Sequence, residues 1–351
     1  MVLSQLTDGK KNGYLVKGTL LLTILVSQSC TLFSGSTSKY TKQVRELSFE
    51  KTELAHDLSV LTKEPHPFGS KRQKDLSTWI KQKSRRLGLL SRIQHFQAST
   101  PNPIIFQNKN APADQVLKKN GYNVLATLPG SKKCEILIGS HYDTKVLEQG
   151  LYLGANDSAS SSAALFHIAS FIKKLIPDDK KRCLTTFIWF DGEEPILPDW
   201  QDGEKNYPIK IKDNTYGSRH FVNTLNKCQN GYCQKKSSTP ITAFILLDMI
   251  GSESLKISLD LNSDLRLREM LLKGAESLGL RENISLTFQE IEDDHIPFRE
   301  KGIPAIDIID FHNLHHWHKP SDTISKVSHA SIEKASKLAV YVYLSLTSEN
   351  L

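Results

Sequence analysis

The sequence predicts an α/β fold: a single globular domain on a central mixed, mostly parallel twisted sheet flanked by helices. Beyond residue 120, short apolar, β-rich runs alternate with helical stretches, the pattern of strands joined by crossover helices. The runs are apolar at successive positions rather than alternate ones, as strands buried on both faces must be. Acids and histidines directly follow these runs, and the carboxyl ends of strands are where open α/β sheets bind ligands.

Taken in order, residues 40 to 100 show helical periodicity, punctuated at His66-Pro-Phe-Gly-Ser70 and followed by an amphipathic, basic segment from Lys74 to Leu90. The strands are expected at Asn123–Leu128, Glu135–Ile138, Leu184–Phe190, Ala243–Leu247 and Ala305–Ile309. A helix is expected from near Ser158 through Ala163, Phe166, Ile168 and Ile172 to Lys173 and Lys174. Asp157 falls at its start, where free amides and the helix dipole favour a carboxylate. The stripe Ile332, Ala335, Leu338, Val342 and Leu346 predicts a closing helix from about Ser328 to Leu346.

With 351 residues, 39% hydrophobic and 24% charged, the chain is long enough to bury a sizeable core. Its net charge is +7, but the lysines are scattered rather than gathered with aromatics into one tract, which argues against nucleic acid as a partner.

The N-terminus reads as a secretory signal over residues 1–30. Lys10, Lys11 and Lys17 precede the apolar run Gly18 to Val26, which ends in Ser27-Gln-Ser-Cys30. That run is far short of the roughly twenty apolar residues a membrane span needs. Cys30 stands where a bacterial lipoprotein is cleaved and acylated, and residues 31–40 form a polar spacer suited to a tether. Ser27, where a lipobox usually has leucine, keeps plain secretion as the alternative. Residues 41–351 are then the single α/β domain of a protein exported to the cell envelope or periplasm. Cys228 and Cys233 can pair across a small loop, whereas apolar neighbours make Cys134 and Cys183 read as buried small hydrophobes.

The strand ends carry His141 and Asp143, then Asp191, Glu193 and Glu194, then Asp248, and finally His312, His315, His316 and His318. Catalytic zinc takes three nitrogen or oxygen ligands and keeps one position open, a set that Asp157, Glu194 and His318 can supply. One acid after a strand is more often a helix cap; acids or histidines after four strands favour a metal. In Phe190-Asp-Gly-Glu-Glu194, one glutamate can ligate while its neighbour, kept ionised by a nearby cation, moves protons. The alternative for Asp191-Gly192 is an acidic surface turn. Deep in an apolar helix, His167 reads as a core histidine.

Gly139-Ser-His-Tyr-Asp-Thr144, Gly154-Ala-Asn-Asp-Ser158, Phe190-Asp-Gly-Glu-Glu194 and Tyr216-Gly-Ser-Arg-His220 resemble, in order, the motifs of the zinc aminopeptidase superfamily. Within it, Leu246-Leu-Asp-Met-Ile-Gly251, Asp293-Asp-His-Ile-Pro-Phe298 and Trp317-His318 resemble the glutaminyl cyclase branch. The resemblance spans about residues 120 to 320. It implies an aminopeptidase-like, phosphorylase/hydrolase-like fold, one zinc per chain on Asp157, Glu194 and His318, and a monomer. The implied substrates are peptides or proteins with N-terminal glutamine, closed to pyroglutamate with release of ammonia. Glu193 is implied as the proton-transfer group, Asp248 as hydrogen-bonded to the leaving amide, and Asp293 as sharing a short, proton-bearing hydrogen bond with Asp248. Trp200 and Trp317 are implied as pocket walls; each is otherwise a core aromatic.

Three departures from the animal cyclases stand out. The segment before Trp200 is one residue longer, Ser140 and Ser162 replace a disulfide, and Asp307 replaces a histidine. Because His141, Asp157 and Asp248 are all present, a di-zinc aminopeptidase is the main rival reading; a non-catalytic envelope protein is the other.

Overall fold

Six strands, five running one way and one against them, make the central sheet of the computed structural model, which describes residues 37–104, 116–225, 228–229, 232–233 and 239–349. The elements in order are α1 (Thr37–Glu46), α2 (Lys51–Leu61), α3 (Lys71–Arg86), β1 (Leu90–Pro101), β2 (Val116–Leu128), β3 (Lys132–His141), α4 (Ser161–Leu175) and β4 (Cys183–Phe190). There follow α5 (Asp202–Lys205), α6 (Tyr216–Thr224), β5 (Cys228–Gln229), β6 (Tyr232–Cys233), β7 (Ile241–Asp248) and β8 (Ile257–Asp260). The chain then forms α7 (Leu265–Leu278), β9 (Ile284–Gln289), α8 (Ile296–Glu300), β10 (Ala305–Ile309) and α9 (His329–Glu349).

The sheet order is β1-β2-β4-β3-β7-β10. β4, β3, β7 and β10 run parallel, and β1 and β2 are the antiparallel edge. The chain leaves β3 for β4 on one side and then crosses back to β7 on the other. β3 is therefore the switch point, where loops leaving neighbouring strands part and open a crevice.

Successive strand residues supply opposite faces. Ile136, Ile138, Phe187, Trp189, Ile245, Leu247 and Ile308 pack with residues of α2, α4, α7 and α9 in the larger core. Leu137, Ile188, Phe190, Phe244 and Leu246 pack on the other face with Phe221 and Val222 of α6 and Phe298 of α8. This two-sided burial is what the continuous apolar runs imply.

Every expected strand is found, but the helical periodicity does not extend to residue 100: Leu90–Pro101 is strand β1. Its buried positions include the polar Ser91, Gln94 and Thr100, so period-two hydrophobicity is masked. Gln94 faces Asn123, which donates to it at 2.9 Å, satisfying polar groups that burial would otherwise penalise. The helix expected from Ser158 begins as α4 at Ser161, because Ala155–Ser160 form an irregular turn with a cis Asp157–Ser158 bond. The signal segment and Cys30 lie outside the described residues. Of the spacer, residues 37–40 already belong to α1.

The cysteine reading is corrected at one pair. Cys134 and Cys183 are not free hydrophobes; they form a disulfide. The register of β3 on β4 shifts between Lys132 and Glu135, and Cys134 lies within that irregularity, bonded to Cys183 at the start of β4. Cys228 and Cys233 are opposite each other in the β5–β6 ladder. The bridge closes a segment of 49 residues in sequence, so the paired Cys134→Ser and Cys183→Ser variant is expected to lose about 2–4 kcal/mol of stability. Urea denaturation of variant and wild type reads this directly; coincident midpoints would contradict it.

Candidate metal and catalytic centre

Phe190 ends β4, and Gly192 then turns the chain with φ 74, a conformation glycine adopts without strain. A Cβ there would also meet the ring of Phe68 at 2.9 Å. The turn brings the next two amides onto Asp143: Glu193 N donates to Asp143 Oδ1 at 3.0 Å and Glu194 N to Asp143 Oδ2 at 3.3 Å. The two glutamates are thereby fixed by an acid at the end of the neighbouring strand. Asp191 is no surface turn: it is fully buried and accepts from Tyr122 N.

Two groups of potential ligand atoms converge beyond the strands, and Asp157 belongs to both. In one, Asp157, Glu194 and His318 offer atoms within 4.8 Å of one another; in the other, His141, Asp157 and Asp248 do the same. His318 Nε2 is 3.2 Å from Glu194 Oε1 and 3.6 Å from Asp157 Oδ2. His141 Nε2 is 3.0 Å from Asp157 Oδ1 and 3.3 Å from Asp248 Oδ1. Asp157 is therefore a shared ligand candidate and not a helix cap.

The donor set fits a divalent cation. Both His141 nitrogens, Glu194 Oε2 and Asp248 Oδ1 are buried without a hydrogen-bond partner, an arrangement that is costly unless positive charge is supplied. The electrostatics agree. Burial favours neutral His141, but the charges of Glu193 and Asp248, with the Asp143 and Asp157 carboxylates beside its ring nitrogens, raise its pKa well above the usual value. Burial likewise opposes charge on His318, and Glu194 and Asp157 overcome it and raise its pKa.

The surroundings hold this geometry. Tyr152 donates to Asp157 Oδ2 at 2.8 Å. Asp322 accepts from the amides of Asn156 and Asp157, at 2.8 and 3.1 Å. Trp317 stacks on the His318 ring at 4.1 Å between centroids. His318 has φ 51 and Met249, next to Asp248, φ 48, a left-handed conformation that costs a non-glycine residue energy and tends to cluster at functional sites. Tyr152 and Asp322 are not legible in the sequence: a tyrosine in a loop and an acid in a Ser-Asp-Thr turn carry no distinguishing spacing.

A cavity of about 250 Å³ opens onto Asp157, Glu194 and His318 and is also lined by Glu193, Asp248, Asp293, Trp200 and Trp317. All of the site residues expected from the sequence are thus brought together. Trp200 donates to Glu292 at 3.1 Å across the mouth, and Met249, Ile309 and Phe311 add apolar wall. Burial, then the negative charges of Asp248 and Asp294, push the Asp293 carboxyl well above the usual range. Burial also raises Glu193, against the pull of His141. Neither His312, His315 nor His316 belongs to a metal-ligand group among the described residues; His316 Nδ1 meets Ser321 Oγ at 2.9 Å. His167 stacks on Phe49 and is pushed down to about 4 by burial, a core histidine.

Behind Asp293, buried His295 has Nε2 at 3.0 Å from Asp260 Oδ2 and Nδ1 at 4.0 Å from Asp307 Oδ2. Asp307, at the position of a histidine in the animal pattern, faces a histidine instead. Ser140 and Ser162 hydrogen-bond around the end of β3, Ser162 Oγ donating to His141 O at 2.6 Å.

Residues 123–343 match the model of peptidase family M28. The chain belongs to peptidase family M28. Relatives that it resembles include a glutaminyl-peptide cyclotransferase of Dictyostelium discoideum, 28% identical over 251 residues, covering 66% of this chain and 65% of the relative. One from Bothrops jararaca is 28% identical over 263 residues, covering 64% and 66%. The chain spans just under two thirds of the length of these relatives. Among solved structures, an Acidobacteriales bacterium glutaminyl cyclase has TM-score 0.65 at 24% identity, covering 94% of this chain and all of its own. A Zn-dependent exopeptidase from Parabacteroides distasonis has TM-score 0.62 at 17% identity, covering 86% and 97%. These likenesses bear out the zinc exopeptidase-like α/β fold, and the family and ligand set imply zinc.

Asp322 touches no ligand atom of the proposed metal but fixes the backbone of Asp157. Asp322→Ala is expected to weaken zinc binding roughly 10–100-fold, measured by competition with a chromophoric chelator. Unchanged affinity in a variant of normal thermal stability would contradict the positioning role.

Proposed function

We propose that this M28 chain is a zinc-dependent glutaminyl-peptide cyclotransferase, closing the N-terminal glutamine of peptides or proteins to pyroglutamate. The observation that carries the reading is Asp293, buried beside Asp248 at the base of a small pocket with Trp200 and Trp317 in its wall. Adjacent buried carboxylates retain a proton between them, which makes Asp248 a weaker ligand for a second cation. The relatives described as glutaminyl-peptide cyclotransferases support the same reading.

One zinc per chain is assigned to Asp157, Glu194 and His318; the chemistry it supplies when bound is polarisation of the glutamine γ-carbonyl. Glu193 takes a proton from the substrate α-amine as that nitrogen attacks the γ-carbon, and returns it to the departing amide nitrogen. Asp248, with Asp293 sharing its proton, accepts a hydrogen bond from the amide nitrogen and orients the side chain for five-membered ring closure. The apolar walls of Trp200 and Trp317 exclude water, which would otherwise hydrolyse the same amide. Nucleophile and electrophile belong to one residue, so holding them in line supplies much of the acceleration.

The reading extends to a monomer exported to the cell envelope and anchored through lipid on Cys30. The second reading, a di-zinc aminopeptidase, is favoured by the assembled group His141, Asp157 and Asp248. Zinc stoichiometry separates the two: one tightly held ion per chain is expected, and two would favour the peptidase.

Purified protein supplied with glutamine-initiated peptides is expected to release ammonia and leave the peptide bond intact; a free amino acid as product would defeat the cyclase reading. Glu193→Gln is expected to lower turnover by roughly 10²–10⁴-fold while retaining zinc, and His318→Ala to lose the metal. Steady-state kinetics and metal analysis check both, and activity retained in either variant would contradict the role of the residue replaced.

A further inference from the structure

The acids of the cavity fall into two groups. Asp157, Glu193, Glu194, Asp248 and Asp293 are buried and are absorbed by metal binding and proton transfer. Glu290 and Glu292 are exposed at the mouth and take no part in that chemistry. Ile291 between them is buried against the apolar wall, which leaves both glutamates on the solvent side. Glu292 is fixed there by the hydrogen bond from Trp200 Nε1. Among the described residues, no lysine or arginine lines the cavity, although the chain as a whole carries +7. The mouth is therefore a local negative field on a basic molecule.

Below the mouth, Glu194 Oε2, Asp248 Oδ1 and Asp293 Oδ2 line this cavity as buried atoms with no hydrogen-bond partner, the same atoms that mark it as the site receiving the metal and the substrate. At about 250 Å³ the cavity is smaller than the roughly 300–1,000 Å³ that encloses a drug-sized ligand. It holds one amino-acid residue and leaves the following residues of a peptide at the mouth.

We infer that Glu290 and Glu292 select peptides with lysine or arginine next to the N-terminal glutamine. This rests on the cyclase reading for the identity of the first residue. Charge at a wet rim acts on association and specificity rather than on reacting atoms, so the selection lies in KM, with kcat common to all peptides. Each solvated pair is worth roughly 1.5- to 5-fold, and salt screens it.

The test compares Gln-Lys, Gln-Ala and Gln-Glu peptides of one length, with wild type and E290Q/E292Q, whose amides keep an acceptor for Trp200. Wild type is expected to favour Gln-Lys over Gln-Glu by roughly 2- to 25-fold in kcat/KM, the preference shrinking in ~1 M NaCl. In the variant the three values converge. Equal values in wild type, or a preference that survives E290Q/E292Q, would overturn the inference. Binding of the same peptides to E193Q, followed by tryptophan fluorescence, separates the two layers. If no peptide is cyclised yet affinities keep the order Lys above Ala above Glu, the cyclase reading fails and the rim selection stands; without that order the inference fails too.

Discussion

The arrangement of the active end depends on Asp157 facing two imidazoles at once. Its Oδ1 lies 3.0 Å from His141 and its Oδ2 3.6 Å from His318, so one carboxylate joins the group beyond β3 and β7 to the group beyond β4 and the final loop. Such a concentration of buried charge is tolerated only if positive charge balances it. Burial tends to raise the Asp157 carboxyl, but His141 at 3.0 Å, with the charge of His318, brings it below the usual range. The carboxylate is thus kept ionised, as a metal ligand must be.

Most of the supporting structure serves to hold that carboxylate and its neighbours still. Tyr152 and Asp322 take up its second oxygen and its amide; Asp143 takes up the amides of Glu193 and Glu194. Asp143 and Tyr152 come from the connection after β3, and Asp322 from the loop between β10 and α9. The parallel sheet makes this possible because β3, β4, β7 and β10 end on the same edge, and the crossover at β3 leaves a gap between the departing loops. The disulfide from Cys134 to Cys183 joins β3 and β4 at their opposite, starting ends.

The strands are legible in the sequence because burial on both faces leaves an unbroken apolar run, and the ligands because their residue types are rare directly after such runs. β1 is not legible, since its buried positions include Ser91, Gln94 and Thr100, and the burial of Gln94 is compensated by Thr224, distant in sequence. The Cys134–Cys183 bridge is hidden for a related reason. Apolar neighbours describe a buried cysteine equally well whether it is a thiol or half of a disulfide, and only the strand register brings the two together. Asp157 carries the signals of a ligand and of a cap together, because both roles call for a carboxylate at the same turn; only the irregular backbone before α4 decides between them.

In the proposed cyclase, Asp293 would separate cyclisation from hydrolysis without losing a ligand. His141, Asp157 and Asp248 still form a group able to hold a cation, yet Asp293 adds a further buried carboxyl whose pKa is raised by burial and then by Asp248. Behind it, Asp307 is raised by burial and by the charge of Asp293 in turn, with His295 between Asp260 and Asp307. On the cyclase reading proposed above, protons rather than a second metal balance this part of the charge. A protonated carboxyl beside Asp248 draws on the same lone pairs that a cation would use. On that proposal, the number of metal ions is governed by acids behind the ligands as much as by the ligands themselves.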